Sequence, residues 1–225
     1  DNYSYQENIL PKIHKLQGHE VKILASTETY IHNKKLGYLD KGKYINENDI
    51  EVTRISYTNW LPLKLGAKIR KYVGVYNHLE EFKPDIIFLH DTQFASTREI
   101  ARYCKKHKSV KVFADCHTDY INSAKNWVSK NILHKIIYKH YTHIIEPFVS
   151  KFYGTLPLRN EFLENVYKVP LSKIELLEFG ADDTLYKLSD KAVVRKTLCE
   201  KHGIDQDNFI LVTGGKIDER KKIHI

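Results

Sequence analysis

The sequence predicts an α/β fold, a parallel sheet with helices on its faces, and three observations predict it. Short apolar runs of strand length alternate with longer segments of helical period along nearly the whole chain. Runs such as Asp85–Leu89 and Val110–Ala114 are short and largely apolar, as strands buried by helices are. Polar clusters, His90-Asp91 and Asp115 to Asp119, follow directly on those runs, where an open parallel sheet gathers its ligands.

Taken in order, Ser4-Tyr-Gln-Glu7 has a capping-box pattern, and Ile9, Leu10, Ile13 and Leu16 recur at helical spacing up to Gly18, predicting a helix over 4–17. Pro11 inside it either kinks the helix or delays its start. Glu20–Ser26 reads as a strand, and the polar, turn-rich segment 28–48 as a long surface loop. Asp49–Tyr57 is expected as strand, Leu65–Phe82 as helix, and Asp85–Leu89 as a buried strand introduced by Lys83-Pro84. Thr97–Lys106 reads as helix, Val110–Ala114 as strand, Asn122–Tyr141 as one or two helices, and His143–Glu146 as strand. Arg159–Tyr167 (helix), Lys173–Leu177 (strand), Lys191–His202 (helix) and Phe209–Thr213 (strand) complete the alternation. The aperiodic stretch Gly180–Asp190 separates a first domain, 1–182, from the beginning of a second, 191–225, with 183–190 as linker.

With 225 residues, 42% of them hydrophobic, the chain can bury a real core. No apolar run approaches the roughly 18 to 20 residues that cross a bilayer. The first residues carry neither a basic region nor an apolar core of a secretory signal, and Cys104, Cys116 and Cys199 lack C-x-x-C spacing, which points to reduced thiols and a cytoplasmic setting. A formal charge of +8 and pI near 9.1 suit a phosphorylated small molecule, an anionic membrane face or nucleic acid. Dispersed lysines without an Arg-rich tract argue against nucleic acid, and lysine abundance is equally consistent with a coding bias.

Chemistry gathers at four places. After Phe209–Thr213 come Gly214-Gly215 and Lys216 to Lys222, glycines that permit close backbone approach followed by cations that neutralise an anion. Ser26-Thr27, His90-Asp91 and Asp115-Cys-His117-Thr-Asp119 close three expected strands, whose carboxyl ends share one side of a parallel sheet. His90, Asp91, Asp115, His117 and Asp119 are competent metal ligands, and a metal-dependent hydrolase would follow, but no compact ligand spacing accompanies them. Ser26 has no G-x-S-x-G elbow that would make it a nucleophile. A histidine after a buried strand is otherwise a satisfied loop or core residue.

Gly18-His-Glu-Val21, Lys83-Pro-Asp-Ile-Ile87, His117 after its strand, Lys173-Ile to Gly180-Ala-Asp182, and Gly215-Lys-Ile-Asp-Glu-Arg-Lys221 stand in an order and spacing that resemble the retaining GT-B glycosyltransferases of family 4. The resemblance implies the N-terminal half of a GT-B fold, a Rossmann-like acceptor-side domain, followed by the start of a nucleotide-sugar domain. It implies a retaining, hexosyltransferase-type enzyme that needs no metal or other cofactor and takes a nucleotide-sugar as donor. Gly215, Lys216 and Lys221 fall where the family grips the donor diphosphate, His117 beside the transferred sugar, and Ser26, His90, Asp91 and Asp119 along the acceptor cleft.

Departures are Lys222 where the family has glycine, and Phe179 where it has asparagine. The family's first strand and glycine-rich loop, and its E-x7-E pair, fall beyond the two ends, so these 225 residues by themselves are expected to be inactive. The acceptor is unidentified; polysaccharide, glycolipid and small-thiol-precursor synthesis all fit. Trp60 to Leu65 together with the basic charge suggests peripheral docking on the anionic inner membrane face, unless that stretch faces the core. Alternatives are a non-catalytic GT-B-like module that binds phosphorylated sugars and a sugar-nucleotide epimerase.

Overall fold

Four parallel strands order the first part of the molecule: β6 (Ile86–His90), β7 (Lys111–Cys116), β8 (Val149–Gly154) and β9 (Ile174–Leu176), hydrogen-bonded in that sequence. The structure is a computed structural model that describes residues 6–31, 35–58, 62–178, 180 and 191–211. The chain divides into two compact units, Asp1–Gly180 and Ala181–Ile225. The expected α/β fold with a parallel sheet flanked by helices is what the first unit shows.

The core lies on this sheet. Val112, Ala114 and Phe152 from the strands, Ile145 from a helix, and Phe162 and Tyr167 from a second helix have essentially no contact with water. Helices α3 (Val75–Phe82), α4 (Thr97–Lys106), α5 (Lys139–Ile145) and α6 (Pro157–Phe162) pack residues into the same core. In α4, Ile100, Ala101, Tyr103 and Cys104 are buried while Lys105 and Lys106 sit in water, a one-sided apolar face that gives the helix its place.

Two further sheets precede it. β1 (Lys22–Ser26) pairs in parallel with β5 (Glu51–Ile55), and β4 (Gly42–Ile45) runs antiparallel to β5. β2 (Glu28–Ile31) and β3 (Lys35–Tyr38) form an antiparallel hairpin. The segment 28–48 is therefore three short strands rather than one surface loop. Tyr30 with Ile31, and Leu36 with Tyr38, are β-formers, but the Asn, Gly and Lys around them masked runs of only four residues.

Other boundaries differ for identifiable reasons. Helix α1 (Gln6–Leu16) runs through Pro11, forgoing one hydrogen bond, and ends at Gly18 with φ 91°, while residues 1–5 lie outside the described residues. The single helix expected over Leu65–Phe82 is two, α2 (Leu63–Ile69) and α3. Arg70 turns left-handed at φ 51°, Tyr72 bridges antiparallel to Tyr57, and Gly74 at φ 77° starts α3. Stacking of Tyr57 on Tyr72, ring centroids 5.2 Å apart, rewards the break.

His143–Glu146 is helix, not strand. A π-helical stretch, Ser129–Tyr138, passes without interruption into α5, and Tyr138, Tyr141, Thr142 and Ile145 recur at helical spacing on the buried side until Pro147 ends the run. The strand lies just beyond, in Val149–Gly154, whose Val149, Phe152 and Gly154 are buried. Phe209 to Leu211, the described part of the expected last strand, has no regular secondary structure, Phe209 and Leu211 are exposed, and 212–213 lie outside the described residues. α7 (Lys191–His202) matches its expected span.

His134 is the least conventional core residue. It is buried, its Nδ1 lies 2.9 Å from the Tyr167 hydroxyl, and burial, then the nearby Arg70 charge, lower its pKa to about 4. Folding therefore demands a neutral imidazole where the unfolded chain, with the ordinary value 6.5, would take a proton. Stability is full above about 6.5 and falls as pH drops toward about 4, by on the order of 3 kcal/mol. Urea titrations across that window should show the slope in the wild type and a flattened profile in His134→Gln; parallel profiles would exclude His134 as the source.

At the end of β8, a Cβ on Gly154 would lie 2.8 Å from the backbone nitrogen of Asn160 in α6, which no rotamer change relieves. Gly154→Ala is expected to destabilise the first unit by roughly 1–3 kcal/mol. Gly42→Ala, where nothing lies within 4 Å, should leave the denaturation midpoint close to wild type.

Candidate active site

The register of β6 and β7 pairs His90 with Asp115, so the last residues of two adjacent parallel strands face one another at the carboxyl end of the sheet. Asp115 is buried. Its Oδ2 accepts hydrogen bonds from His90 Nδ1 at 3.0 Å and His117 Nε2 at 3.1 Å, and its Oδ1 accepts the Asp91 backbone N–H at 3.0 Å. Burial acting alone would raise this carboxyl's pKa, but the hydrogen bonds and charges of His117 and His90 outweigh it and hold the group at about 2. Asp115 is thus an ionised acceptor throughout the physiological range.

A carboxylate without a proton can only accept, which assigns the two rings: His90 donates from Nδ1 and His117 from Nε2. The imidazoles lie 4.3 Å apart, centroid to centroid, tilted by 48°. Such a pair can orient hydroxyl groups and, when one ring takes a proton, hold positive charge against the carboxylate.

The strand-end loops are tied together around this cluster. Asp91 turns left-handed at φ 67°, and its carboxylate accepts the Thr92 N–H at 2.7 Å, the Gln93 amide at 2.9 Å and the Thr118 hydroxyl at 3.0 Å. Desolvation raises its pKa, and these hydrogen bonds only partly counter it. Gln93 also bonds Thr118, so the loop after β6 is fastened to the loop after β7. The Thr92 and Thr142 hydroxyls meet at 2.8 Å, anchoring the first loop to α5.

Asp119 is placed differently. Its oxygens accept the Ile121 and Asn122 N–H groups at 2.9 and 2.7 Å and the Asn122 amide at 2.8 Å, with Arg159 Nε at 3.4 Å. Desolvation works against the charge, but these partners lower its pKa. Its carboxylate folds the loop that leaves His117. Ser26 ends β1 in the other sheet, where its hydroxyl accepts the Glu28 N–H at 2.9 Å and its carbonyl the Arg54 guanidinium at 2.7 Å. Ser26 and His90 border one cavity of about 300 Å³, lined also by Leu24, Val75, Leu79 and Leu89.

His90, Asp91 and His117 therefore come together, Ser26 shares a cavity with His90, and Asp119 stands aside as a loop brace. Gly215, Lys216 and Lys221 lie outside the described residues. Two groups were not anticipated in their observed roles. Asp115, weighed in the sequence only as a metal ligand, positions both imidazoles. Arg70 is half-buried among Tyr138, Tyr72, Tyr57 and Asp91; burial lowers its pKa, but those neighbours more than offset it. Nothing in the sequence near Arg70 foretells the left-handed turn that puts it there.

Among the described residues, His90, Asp115 and His117 form a group able to hold a metal, with one ligand atom of each within 4.8 Å of the others. Asp115 Oδ2 accepts a hydrogen bond from each of the two rings.

No protein-family model matches the chain, and no curated protein matches it. Among solved structures, a glycosyltransferase from Rickettsia africae ESF-5 is similar over 89% of this chain, with a TM-score of 0.46 and 14% sequence identity. The chain spans 46% of that structure's length.

Replacing Asp115 by Asn turns one of its acceptors into a donor facing two N–H groups. Asp115→Asn is expected to lower the stability of the first unit by about 1–3 kcal/mol, read as a lower urea midpoint. A midpoint equal to wild type would show that the carboxylate does not hold the imidazoles.

Proposed function

We propose that the protein is a glycosyltransferase that moves a sugar from a nucleotide-sugar donor to an acceptor with retention of configuration. The observation that carries this reading is the His90–Asp115–His117 cluster, a buried anion fixing two imidazoles at the carboxyl ends of adjacent parallel strands. It occupies the sheet edge at which α/β folds bind ligands, and it contains the histidine that the sequence resemblance sets beside the transferred sugar.

In this reading His117 accepts a hydrogen bond from a sugar hydroxyl and orients the ring, while Asp115 fixes the tautomer and stabilises any positive charge that develops on the imidazole. His117 is not a nucleophile. As the bond from the anomeric carbon to the diphosphate breaks, negative charge grows on the departing oxygen; Lys216 and Lys221 neutralise it more in the transition state than in the ground state. The acceptor oxygen bonds to the same face of that carbon, and its proton leaves with the diphosphate.

One observation favours a second reading, metal-assisted hydrolysis: the three ligand atoms within 4.8 Å. The two separate in one experiment, in which the full-length protein is incubated with a panel of nucleotide-sugars, with and without a chelator, and transfer and hydrolysis are recorded separately. Transfer insensitive to chelation supports the first reading; hydrolysis that chelation abolishes supports the second. For the transferase, Lys216→Ala and Lys221→Ala should each weaken transition-state stabilisation by about 2–4 kcal/mol, and His117→Ala should lower kcat with little change in donor affinity. Wild-type kinetics in the lysine variants would overturn the diphosphate assignment.

A further inference from the structure

From Tyr120 to Ile145 the chain contains no Asp or Glu, but four lysines, at 125, 130, 135 and 139. That run forms the turn after the candidate site, the π-helical stretch and α5. Its inner side is well satisfied: His134, Tyr138, Tyr141, Thr142 and Ile145 are buried, and the Tyr138 hydroxyl donates to the Lys68 carbonyl at 2.9 Å.

Its outer side is unusual for a helix facing water. Val128, Ile132 and Ile136, spaced four apart on one face, are 55%, 39% and 63% exposed, and Ile121 and Trp127 at the same end are each 71% exposed. Polar residues would ordinarily occupy such a stripe. Lys125 and Lys135 are exposed beside it, and Lys130 lies over the Tyr120 ring at 5.2 Å from its centroid. Apolar side chains with an interfacial tryptophan, bordered by lysines in a run that itself contains no carboxylate, match an anionic bilayer in both terms: hydrocarbon beneath, phosphate at the rim.

We propose that this face, Ile121 to Ile136, is a docking surface for an anionic lipid membrane. Tryptophan and the aliphatic side chains enter the headgroup–acyl boundary, and the lysines lie against lipid phosphates. The surface begins four residues after His117, so docking sets the His117 loop at the headgroup layer, within reach of an acceptor carried on a lipid. That last step rests on the transferase reading; docking does not.

The test uses the full chain with Trp60→Phe, which leaves Trp127 as the one tryptophan of the two present. On vesicles of phosphatidylcholine containing phosphatidylglycerol, Trp127 emission should shift to the blue and be quenched by brominated acyl chains. Pure phosphatidylcholine should give neither effect. Lys125→Gln and Lys135→Gln should each weaken binding about fivefold. Ile132→Ser with Ile136→Ser should weaken it severalfold without altering the circular dichroism or Tm, since both positions are exposed. Binding without dependence on anionic lipid, binding unmoved by these substitutions, or self-association abolished by Ile136→Ser would each overturn the proposal. Because no step requires turnover, a full-length protein that docks but transfers no sugar refutes the enzyme reading alone.

Discussion

A carboxylate shut off from water is tolerable only when its partners replace hydration, and the geometry of the first unit is arranged around one such group. Asp115 has both oxygens engaged, by two imidazole N–H groups and a backbone N–H. Losing a partner would leave a buried charge uncompensated, a penalty larger than the net worth of any one of the hydrogen bonds. The partners come from β6, from the turn after it and from the turn after β7, so satisfying the carboxylate fixes the β6–β7 register and the conformations of both loops. The left-handed Asp91 follows from this, because the chain must reverse sharply for the Asp91 N–H to reach Asp115 Oδ1 while its own carboxylate reaches Thr118.

Much of this fold was legible in the sequence where apolar periodicity ran long enough. Thr97–Lys106 and Lys191–His202 match their helices residue for residue, and the strands now seen as β6 and β7 differ by one or two positions. Where reading failed, a long-range interaction had overridden a local pattern. The Tyr57–Tyr72 bridge splits a helix that periodicity alone would continue, and an apolar pair at Ile144-Ile145 mimics a strand because burial by the sheet, not alternation, explains it. The hairpin β2–β3 was lost among turn residues, since a four-residue strand carries too few positions for a period of two to register.

The candidate site was legible in part for a related reason. Parallel strands end on one side, so His90, Asp91, Asp115 and His117 could be grouped from order alone. What sequence could not supply was the division of labour among carboxylates of similar setting. Asp115 faces rings, Asp91 faces hydroxyl and amide groups, and Asp119 faces backbone N–H groups and Arg159; these differences depend on φ at Asp91 and on the turn at 120–123. The resemblance pointed to His117 as a candidate and was silent on Asp115, because a positioning residue is recognised by what it touches.

The helix that follows the site connects these two scales. Thr142 holds the Thr92 hydroxyl, and Tyr138 holds the end of α2, so the inner face of the run 129–145 is part of the scaffold that fixes the loop carrying Asp91. Its outer face carries the exposed aliphatic stripe. A helix in which both faces are apolar over this length is ordinarily buried on both, yet lysines along its border keep it compatible with water. Residues in π-helical register widen the turn and are characteristic of functional segments, and here the π turns coincide with the portion where the inner side must pack His134 and Tyr138 while the outer side presents Ile132 and Ile136. The same ten residues therefore carry a buried inner side and an exposed aliphatic outer side, and the helix that continues them is tied through Thr142 to the loop beside Asp115.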